Sequence, residues 1–373
     1  MQVEHFVDII HADYFVGVPD SQLKPLCNYL MKRYGIDGQH HVIAANEGNC
    51  VAIATGHYLA TGKVPVVYMQ NSGEGNIINP VASLLNEKVY AIPMIFVIGW
   101  RGEPGVADEP QHIFQGEVTL KLLHDMGIGT FVIDKDTTEN ELQRKIDEAE
   151  GVFAKGKSLA LIIKKNALFY EEKISYENDY CMKREDVISQ IVKVSGKDPI
   201  VSTTGKASRE LFEIRERLDM GHQFDFLTVG SMGHSSSIAL GIASQKEDTK
   251  VWCIDGDGAL LMHMGALAVI GSLKPNNLIH IIINNCAHET VGGMPTVARD
   301  IDIVSIAKAC GYPYAVCVNS MEMLELELER VKNSNTLSMI EVKCGIGARD
   351  DLGRPTTKPI DNKKQFMKCL KEK

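Results

Sequence analysis

Short apolar segments and longer amphipathic segments alternate along the first half of the chain. The apolar segments are nearly continuous, which is typical of strands buried on both faces of a parallel sheet. They predict six strands, at 14–18, 41–45, 64–69, 93–98, 130–134 and 158–164. Helical spacing predicts helices up to 34, where Asp20 or Ser21 is the expected cap and Gly35 the stop, and at 49–60, 77–86, 119–126 and 138–155. Residues 100–116 are expected to form a polar loop.

The second half repeats this alternation without repeating the sequence. Its strands are predicted at 199–203, 226–229, 251–254, 278–283, 314–318 and 338–342. Its helices are predicted at 184–195, 207–217, 235–245, 259–273, 302–310 and 320–333, with a short helix at 361–373. Residues 166–182 lack a clear period and are interpreted as a linker. The fold class is therefore α/β, with two doubly wound parallel-sheet domains at 1–165 and 183–373.

Composition narrows the class of protein. The chain has 373 residues, 45% hydrophobic and 23% charged, so it is globular and large enough for two domains. A formal net charge of −9 argues against a nucleic-acid partner. Nine scattered cysteines without a CxxC pair favour reduced core residues. With no signal peptide and no long apolar run evident, we expect a cytoplasmic protein without a membrane partner.

The segment 251–285 predicts a metal site on one βαβ unit. Its first strand ends in Asp255-Gly256-Asp257-Gly258, and its second ends in Asn284-Asn285. Carboxyl ends of neighbouring parallel strands lie side by side, so Asp257 and Asn285 can meet at one cation. Both offer oxygen, which magnesium prefers. Gly258 permits close backbone approach, and the helix that begins at Ala259 offers N–H groups to a phosphate. The alternative is a Rossmann-like unit with an ordinary turn at each strand end.

Several motifs together resemble the thiamine-diphosphate-dependent decarboxylases over nearly the whole chain. They are GVPDS (17–21), ANEG (45–48), QNSGEGN (70–76), RGEPGVADEPQH (101–112), TTGKASRELFE (203–213), GSMGHSS (230–236), GDG…NN (256–285), AHETVGGMPT (287–296) and ARDDLGRPTT (348–357). The less general motifs are similar to those of phosphonopyruvate decarboxylases, and sulfopyruvate decarboxylases share much of the pattern. The resemblance implies a pyrimidine-binding domain followed by a diphosphate-binding domain, without a central domain.

The same resemblance assigns the cofactor site. It implies that Glu47 activates the aminopyrimidine ring; the alternative is a glutamate stabilised at a helix N-terminus. The Gly230 carbonyl would accept from the amino group, and Met232 would be the apolar wedge that folds the cofactor, unless it is a core methionine. His234 could donate to the diphosphate, and Ser231, Gly256, Gly258 and Ala259 are the further cofactor-binding residues that the resemblance implies. Asp257, Asn285 and the Ala287 carbonyl would bind Mg²⁺.

The substrate end follows from the implied chemistry, which is decarboxylation of a small anionic 2-oxo acid. Candidate catalytic residues at the strand ends are Asp20, Ser21, Gln70, Asn71, His288 and Glu289, although His288 could instead be a solvent-exposed loop residue. A phosphonate needs fixed cations, and Lys206, then Arg101 and Arg349, are the first candidates among loop cations that include Arg299 and Arg354. Each could equally be a solvated surface charge.

The implied reaction is 3-phosphonopyruvate to phosphonoacetaldehyde and CO₂, as in phosphonate biosynthesis. Sulfopyruvate or another short 2-oxo acid is the alternative substrate, and a non-catalytic cofactor-binding regulator is the alternative class. The tail 345–357 is expected to be irregular and to close over the pocket as a lid. The family also implies a homo-oligomer, at least a dimer, with active sites between subunits.

Overall fold

The computed structural model describes all 373 residues and divides them into two compact units. The first unit is Met1–Ser175 and the second is Tyr176–Lys373. The division falls inside the segment 166–182 that the sequence suggested as a linker. None of the helices is long and apolar enough to cross a membrane.

The first unit contains a six-stranded sheet in which every pairing is parallel. Its strands are β1 (Phe15–Gly17), β2 (His41–Ile43), β3 (Val66–Gln70), β4 (Ile95–Gly99), β5 (Gly129–Ile133) and β6 (Leu159–Ile163). They are ordered β2-β1-β3-β4-β6-β5. All six coincide with predicted apolar segments, because strands covered on both faces need continuous apolar sequence.

Helices cover this sheet, and their starts depart most from the prediction. They are α1 (Val3–Ile10), α2 (Lys24–Arg33), α3 (Glu47–Thr61), α4 (Glu74–Pro80) with a π turn at Val81–Leu85, α5 (Pro110–Asp125) and α6 (Glu139–Phe153). The loop prediction was wrong for 110–116, where α5 already begins. Pro110 suits a first helical position, and Ile113 and Phe114 point outward, so the first turns lack an amphipathic pattern.

The second unit has the same architecture. Its main strands are β7 (Ile200–Ser202), β8 (Asp225–Leu227), β9 (Val251–Gly256), β10 (Leu278–Asn284), β13 (Tyr314–Val318) and β14 (Ser338–Lys343), all parallel. Their order is β13-β14-β10-β9-β7-β8. A small antiparallel pair, β11 (Ala287–His288) with β12 (Met294–Pro295), was not predicted, since two residues carry no period. It folds the AHETVGGMPT segment back beside the end of β10.

The helices of this unit largely follow the predicted positions. They are α7 (Arg184–Ser195), α8 (Lys206–Arg217), α9 (Ser235–Ala243), α10 (Asp257–Met262), α11 (Gly265–Leu273), α12 (Ile303–Ala309), α13 (Met321–Lys332) and α14 (Pro359–Lys371). The predicted single helix at 259–273 is two helices, with His263 in a non-helical conformation between them. Gly233 packs on the end of α10, close to the Ala259 carbonyl and His263. Buried clusters on both faces of the sheet hold β9 and β10 at its centre.

Candidate active site

Glu47 is the first residue of α3 and lies just past the end of β2. Asn46 caps this helix by accepting from the Gly48 N–H. The Glu47 side chain is buried, and its Oε2 accepts a 2.6 Å hydrogen bond from Asn76 Nδ2. Burial raises the pKa of Glu47, while the Asn76 hydrogen bond opposes that shift. The result is a buried carboxyl with an elevated pKa, as the activating acid would require.

Gly73 determines how close the neighbouring backbone comes to this carboxyl. A Cβ on Gly73 would lie 2.5 Å from Glu47 Oε1, which is far inside van der Waals contact. The glycine therefore leaves the space that the Glu47 side chain fills. The QNSGEGN motif supplies both this glycine and Asn76, so it shapes two sides of the Glu47 carboxyl.

Asp20 lies fully buried between the ends of β1 and β3. It accepts a 2.5 Å hydrogen bond from Gln70 Nε2 and a 3.0 Å bond from the Gln22 N–H. Burial raises the pKa of Asp20 despite these bonds and the nearby Arg101 charge. The predicted helix cap at Asp20 or Ser21 was wrong, since α2 begins at Lys24 without a side-chain cap. Asp20 is turned inward to Gln70 instead.

Asn71 braces the segment that follows β4. Its Nδ2 donates to the Arg101 carbonyl at 2.8 Å and to Thr119 Oγ1 at 2.9 Å. Its Oδ1 accepts from the Arg101 N–H at 3.1 Å. The Asn71 carboxamide therefore makes its hydrogen bonds within the protein, where it fixes the backbone at Arg101.

Arg101 is held by an acidic partner from its own loop. Its Nε and Nη2 donate to the two oxygens of Asp108 at 2.8 and 2.5 Å, and Nη1 reaches Ser21 Oγ at 3.2 Å. The forked pairing raises the pKa of Arg101 and lowers that of Asp108. Asp20, Ser21, Gln70, Asn71 and Arg101 thus lie together at one edge of the first sheet.

In the second unit, Asp257 begins α10 at the end of β9. The Thr296 hydroxyl donates a 2.5 Å hydrogen bond to its Oδ2, and the Asn285 N–H also donates to the carboxylate. Burial raises the pKa of Asp257 to about 6 against these bonds. The structure therefore brings Asp257 and Asn285 together, as the GDG…NN spacing predicted.

Asn285 is oriented by hydrogen bonds on both sides of its carboxamide. Its Nδ2 donates to Glu289 Oε2 at 2.8 Å, and its Oδ1 accepts from the Ala287 N–H at 3.1 Å. Cys286 has a left-handed φ of 57°, which turns the chain toward Ala287. Carboxylate, carboxamide and carbonyl oxygens form the donor set that Mg²⁺ takes in proteins, so these residues fit the ion.

The GSMGHSS loop lies against the same helix start. Gly230, Ser231 and Gly233 all have positive φ, at 67°, 42° and 86°. A Cβ on Gly258 would lie 3.2 Å from Met232 Cε and 3.5 Å from the His288 ring, so Gly258 keeps this space open. The space that Gly258 leaves at the start of α10 also fits a diphosphate, which helix N-termini favour. Met232 is only partly buried, which distinguishes it from an ordinary core methionine.

His234 has an aromatic neighbour that sequence reasoning missed. Its Nδ1 lies 3.1 Å from Ser231 Oγ, and its ring centroid lies 4.3 Å from that of His263. His263 lies in the break between α10 and α11, and its Nε2 is buried without a hydrogen-bond partner. Only the unpredicted break between the helices could have drawn attention to it.

His288 and Glu289 lie in contrasting surroundings. Although part of His288 reaches solvent, its ring is poorly hydrated, which lowers its pKa to about 4. Burial acts to raise the pKa of Glu289, but Arg184 and Lys206 outweigh it and the net shift is downward. At neutral pH the imidazole is therefore uncharged and Glu289 is a carboxylate.

The candidate phosphonate cations each have acidic partners within their own unit. Lys206 Nζ lies 2.7 Å from Glu289 Oε1, and Arg101 is paired with Asp108. Arg349 pairs with Glu185, Glu213 and Asp351, and Arg299 with Asp300. A substrate anion would have to share these cations with carboxylates. Arg354 lies in the tail, whose residues 345–358 are irregular as predicted.

Comparison with known proteins matches both units to one family. The model described as "Thiamine pyrophosphate enzyme, N-terminal TPP binding domain" covers residues 3–149, and its C-terminal counterpart covers 203–342. Phosphonopyruvate decarboxylase from Streptomyces viridochromogenes is 30% identical over 94% of this chain and 89% of its own. Sulfopyruvate decarboxylase from Methanosarcina acetivorans is 30% identical over 87% of this chain and 86% of its own. The beta subunit of the Methanocaldococcus jannaschii sulfopyruvate decarboxylase is 36% identical over 51% of this chain and 97% of its own.

The chain therefore belongs to the thiamine pyrophosphate enzymes. Within that family it is a thiamine-diphosphate-dependent decarboxylase of short 2-oxo acids. The family and fold that the motifs implied are both confirmed.

Proposed function

We propose that the protein decarboxylates 3-phosphonopyruvate to phosphonoacetaldehyde and CO₂, using thiamine diphosphate and Mg²⁺. The observation that carries the substrate is similarity along almost the entire chain to two phosphonopyruvate decarboxylases. The Streptomyces viridochromogenes protein is matched over 94% of this chain, and a second relative from Streptomyces hygroscopicus is 29% identical over 95%. A phosphonoacetaldehyde product would give the enzyme a role in phosphonate biosynthesis.

Sulfopyruvate is the second candidate substrate, and one specific observation favours it. The Methanosarcina acetivorans sulfopyruvate decarboxylase has the same 30% identity, over 87% of this chain. Phosphonate and sulfonate are both tetrahedral anions, so the same cations serve either. The phosphonate can carry one more negative charge, and this difference is what the pocket would have to distinguish.

One residue of the chain would activate the cofactor, and the others would bind the cofactor and Mg²⁺. When bound, the cofactor supplies the carbon nucleophile and holds the electron pair released as CO₂ departs. Glu47 would hold a proton at the pyrimidine ring, since its buried carboxyl has a raised pKa. Asp257, Asn285 and the Ala287 carbonyl would hold Mg²⁺, and Gly230, Met232 and His234 would line the cofactor.

Asp20 is the proton donor that the electrostatics favour. Burial raises the pKa of Asp20 and so favours its protonated form, whereas the pKa of Glu289 is lowered and that of His288 is lowered to about 4. Gln70 would orient the Asp20 carboxyl through their 2.5 Å hydrogen bond. Ser21 and Arg101 lie beside it and would face the anionic end of the substrate.

A substrate panel tests the proposed function. The enzyme loaded with thiamine diphosphate and Mg²⁺ is given phosphonopyruvate, sulfopyruvate or pyruvate, and aldehyde formation is followed with a coupled dehydrogenase. The proposal predicts the highest kcat/KM for phosphonopyruvate. A higher value for sulfopyruvate would move the assignment to the second candidate, and no turnover of any 2-oxo acid would overturn both.

We also propose a homo-oligomer, at least a dimer, in which neighbouring subunits complete each active site. Exposed apolar side chains on α3, including Ile53 and Leu59, offer surface for such contacts. Sedimentation equilibrium of the active enzyme should show a dimer or larger assembly. Full activity in a monomeric fraction would contradict this.

A further inference from the structure

We propose that Glu289 is a positioning residue for the cation site, because it fixes which face of the Asn285 carboxamide points to the ion. The inference rests on the proposed function only in that the cation is bound there with thiamine diphosphate. It assigns Glu289 no contact with the substrate and no proton transfer. Its action passes through Asn285 alone.

The carboxamide of Asn285 has two orientations of similar shape, and only its partners select one. In the structure, Nδ2 donates to Glu289 Oε2 at 2.8 Å while Oδ1 accepts from the Ala287 N–H at 3.1 Å. A flip would set the amide oxygen against the Glu289 carboxylate and the NH₂ group against the Ala287 N–H. Glu289 therefore holds the oxygen on the side of Ala287, and its second lone pair remains for a cation.

Glu289 can do this because it is itself held in place by two cations. Arg184 Nη1 donates to Oε2 at 2.5 Å, and Lys206 Nζ lies 2.7 Å from Oε1. The carboxylate thus keeps both its charge and its direction. A carboxylate with its lone pairs directed by fixed donors is a strong acceptor for the Asn285 amide.

Arg184 is anchored in turn by a second buried acid. Its Nε and Nη2 donate to the two oxygens of Glu210 at 2.7 and 2.8 Å. Arg184 and Glu210 are buried, so the forked pair is shielded from water. Two cations and two carboxylates balance, which makes the buried group tolerable. The chain Glu210–Arg184–Glu289–Asn285 connects α7 and α8 to the end of β10.

Lys206 belongs to the same network of charged side chains around Glu289. Lys206 begins α8 and was a candidate for the substrate anion, but its ammonium pairs with Glu289. Outer-sphere groups of this kind fix the direction of metal ligands, and their loss typically lowers metal affinity about 10- to 100-fold. The same magnitude is expected here.

Manganese binding provides the test, because Mn²⁺ replaces Mg²⁺ at oxygen sites and is detected by electron paramagnetic resonance. The dissociation constant of Mn²⁺ is measured with saturating thiamine diphosphate for the wild type, Glu289→Gln and Glu185→Gln. Glu289→Gln should bind Mn²⁺ about 10- to 100-fold more weakly. Glu185→Gln is the matched control, since it removes a carboxylate next to Arg184 in α7 that pairs with Arg217 and Arg349 and not with any member of this chain, and it should retain the wild-type affinity.

Equal Mn²⁺ affinity in the wild type and Glu289→Gln would overturn the inference, as would equal losses in the Glu289 and Glu185 variants. If Glu289→Gln does not fold, the double variant Lys206→Gln/Glu289→Gln removes one charge of each sign and carries the same prediction. If the wild-type enzyme binds Mn²⁺ with the cofactor but releases no CO₂ from any 2-oxo acid, the proposed function is wrong. The inference about Glu289 is not affected by that result. Wild-type enzyme without cofactor-dependent Mn²⁺ binding would overturn both.

Discussion

Asn76 donates a 2.6 Å hydrogen bond to Glu47, and this pairing joins two motifs that lie on different strand ends of the first unit. Glu47 follows β2, whereas Asn76 lies in the helix after β3. The bond leaves Oε1 facing the Gly73 backbone. The position of the Glu47 carboxyl is therefore set by one donor and one missing side chain.

Replacing Gly73 should displace that carboxyl without unfolding the protein. In Gly73→Ala the new methyl group would lie 2.5 Å from Glu47 Oε1 and 2.6 Å from its Cδ and Cγ, so the Glu47 side chain has to rotate away. We expect near-normal thermal stability with turnover reduced by a factor on the order of 100, as misplaced catalytic groups show. Gly75→Ala is the control, because a Cβ there meets nothing within 4 Å. Normal kcat in Gly73→Ala would show that the position of Glu47 is not critical.

The Thr296 hydroxyl should contribute to cation binding through Asp257. Its 2.5 Å hydrogen bond favours the ionised carboxylate that a metal needs. Thr296→Val should weaken Mn²⁺ binding by about tenfold or more, measured by isothermal titration calorimetry with thiamine diphosphate present. Thr296→Ser keeps the hydroxyl and should restore the affinity. An unchanged dissociation constant in Thr296→Val would show that this hydrogen bond does not act on the metal.

Glu74 should make the protein less stable as the pH rises. Its carboxyl is fully buried without a well-formed hydrogen bond, and burial raises its pKa from the ordinary 4.5 to about 9. The folded state therefore binds this proton more tightly than the unfolded state. Stability falls as the pH rises from 4.5 towards 9.

Glu74→Gln removes that dependence because glutamine resembles the protonated acid. At pH 7 the variant should be more stable than the wild type by an amount on the order of 3 kcal/mol, measured by urea unfolding of the cofactor-free protein. The gain should disappear below pH 4.5, where Glu74 is protonated in both the folded and the unfolded state. Glu150→Gln on the exposed face of α6 is the control. A pH-independent difference between Glu74→Gln and the wild type would argue against a buried neutral carboxyl.

The fold could be predicted from the sequence because strands buried on both faces of a parallel sheet appear as continuous apolar segments. Strands such as β4 and β10 are fully buried, and their apolar runs have few other interpretations. The sequence indicated the first residue of a helix less clearly. The start of α5 was missed because Phe114 and Ile113 face outward, and α2 starts late because Asp20 turns toward Gln70 instead of capping it.

In the candidate site, too, the sequence identified some residues and missed others. Glu47, Asp257 and Asn285 stand in short motifs, so the sequence alone singles them out. Arg184 lies in none of these motifs, and Glu210 lies in TTGKASRELFE without a role that the sequence assigns, because the importance of both residues depends on contacts between distant parts of the chain. Arg184 meets Glu289 from 105 positions away, and at the start of an amphipathic helix it resembles any surface charge. The pairing of Lys206 with Glu289 and of Arg101 with Asp108 is visible only in the three-dimensional structure.

Glu47→Gln tests the central claim most directly. The claim is that this buried carboxyl activates thiamine diphosphate for decarboxylation, so the variant should bind the cofactor but lose most turnover. Cofactor affinity is measured by calorimetry with Mg²⁺, and CO₂ release is measured with phosphonopyruvate and sulfopyruvate. The account predicts near-wild-type cofactor affinity with kcat lowered at least about 100-fold, the lower range of acid–base contributions. A Glu47→Gln enzyme that releases CO₂ at the wild-type rate would contradict it.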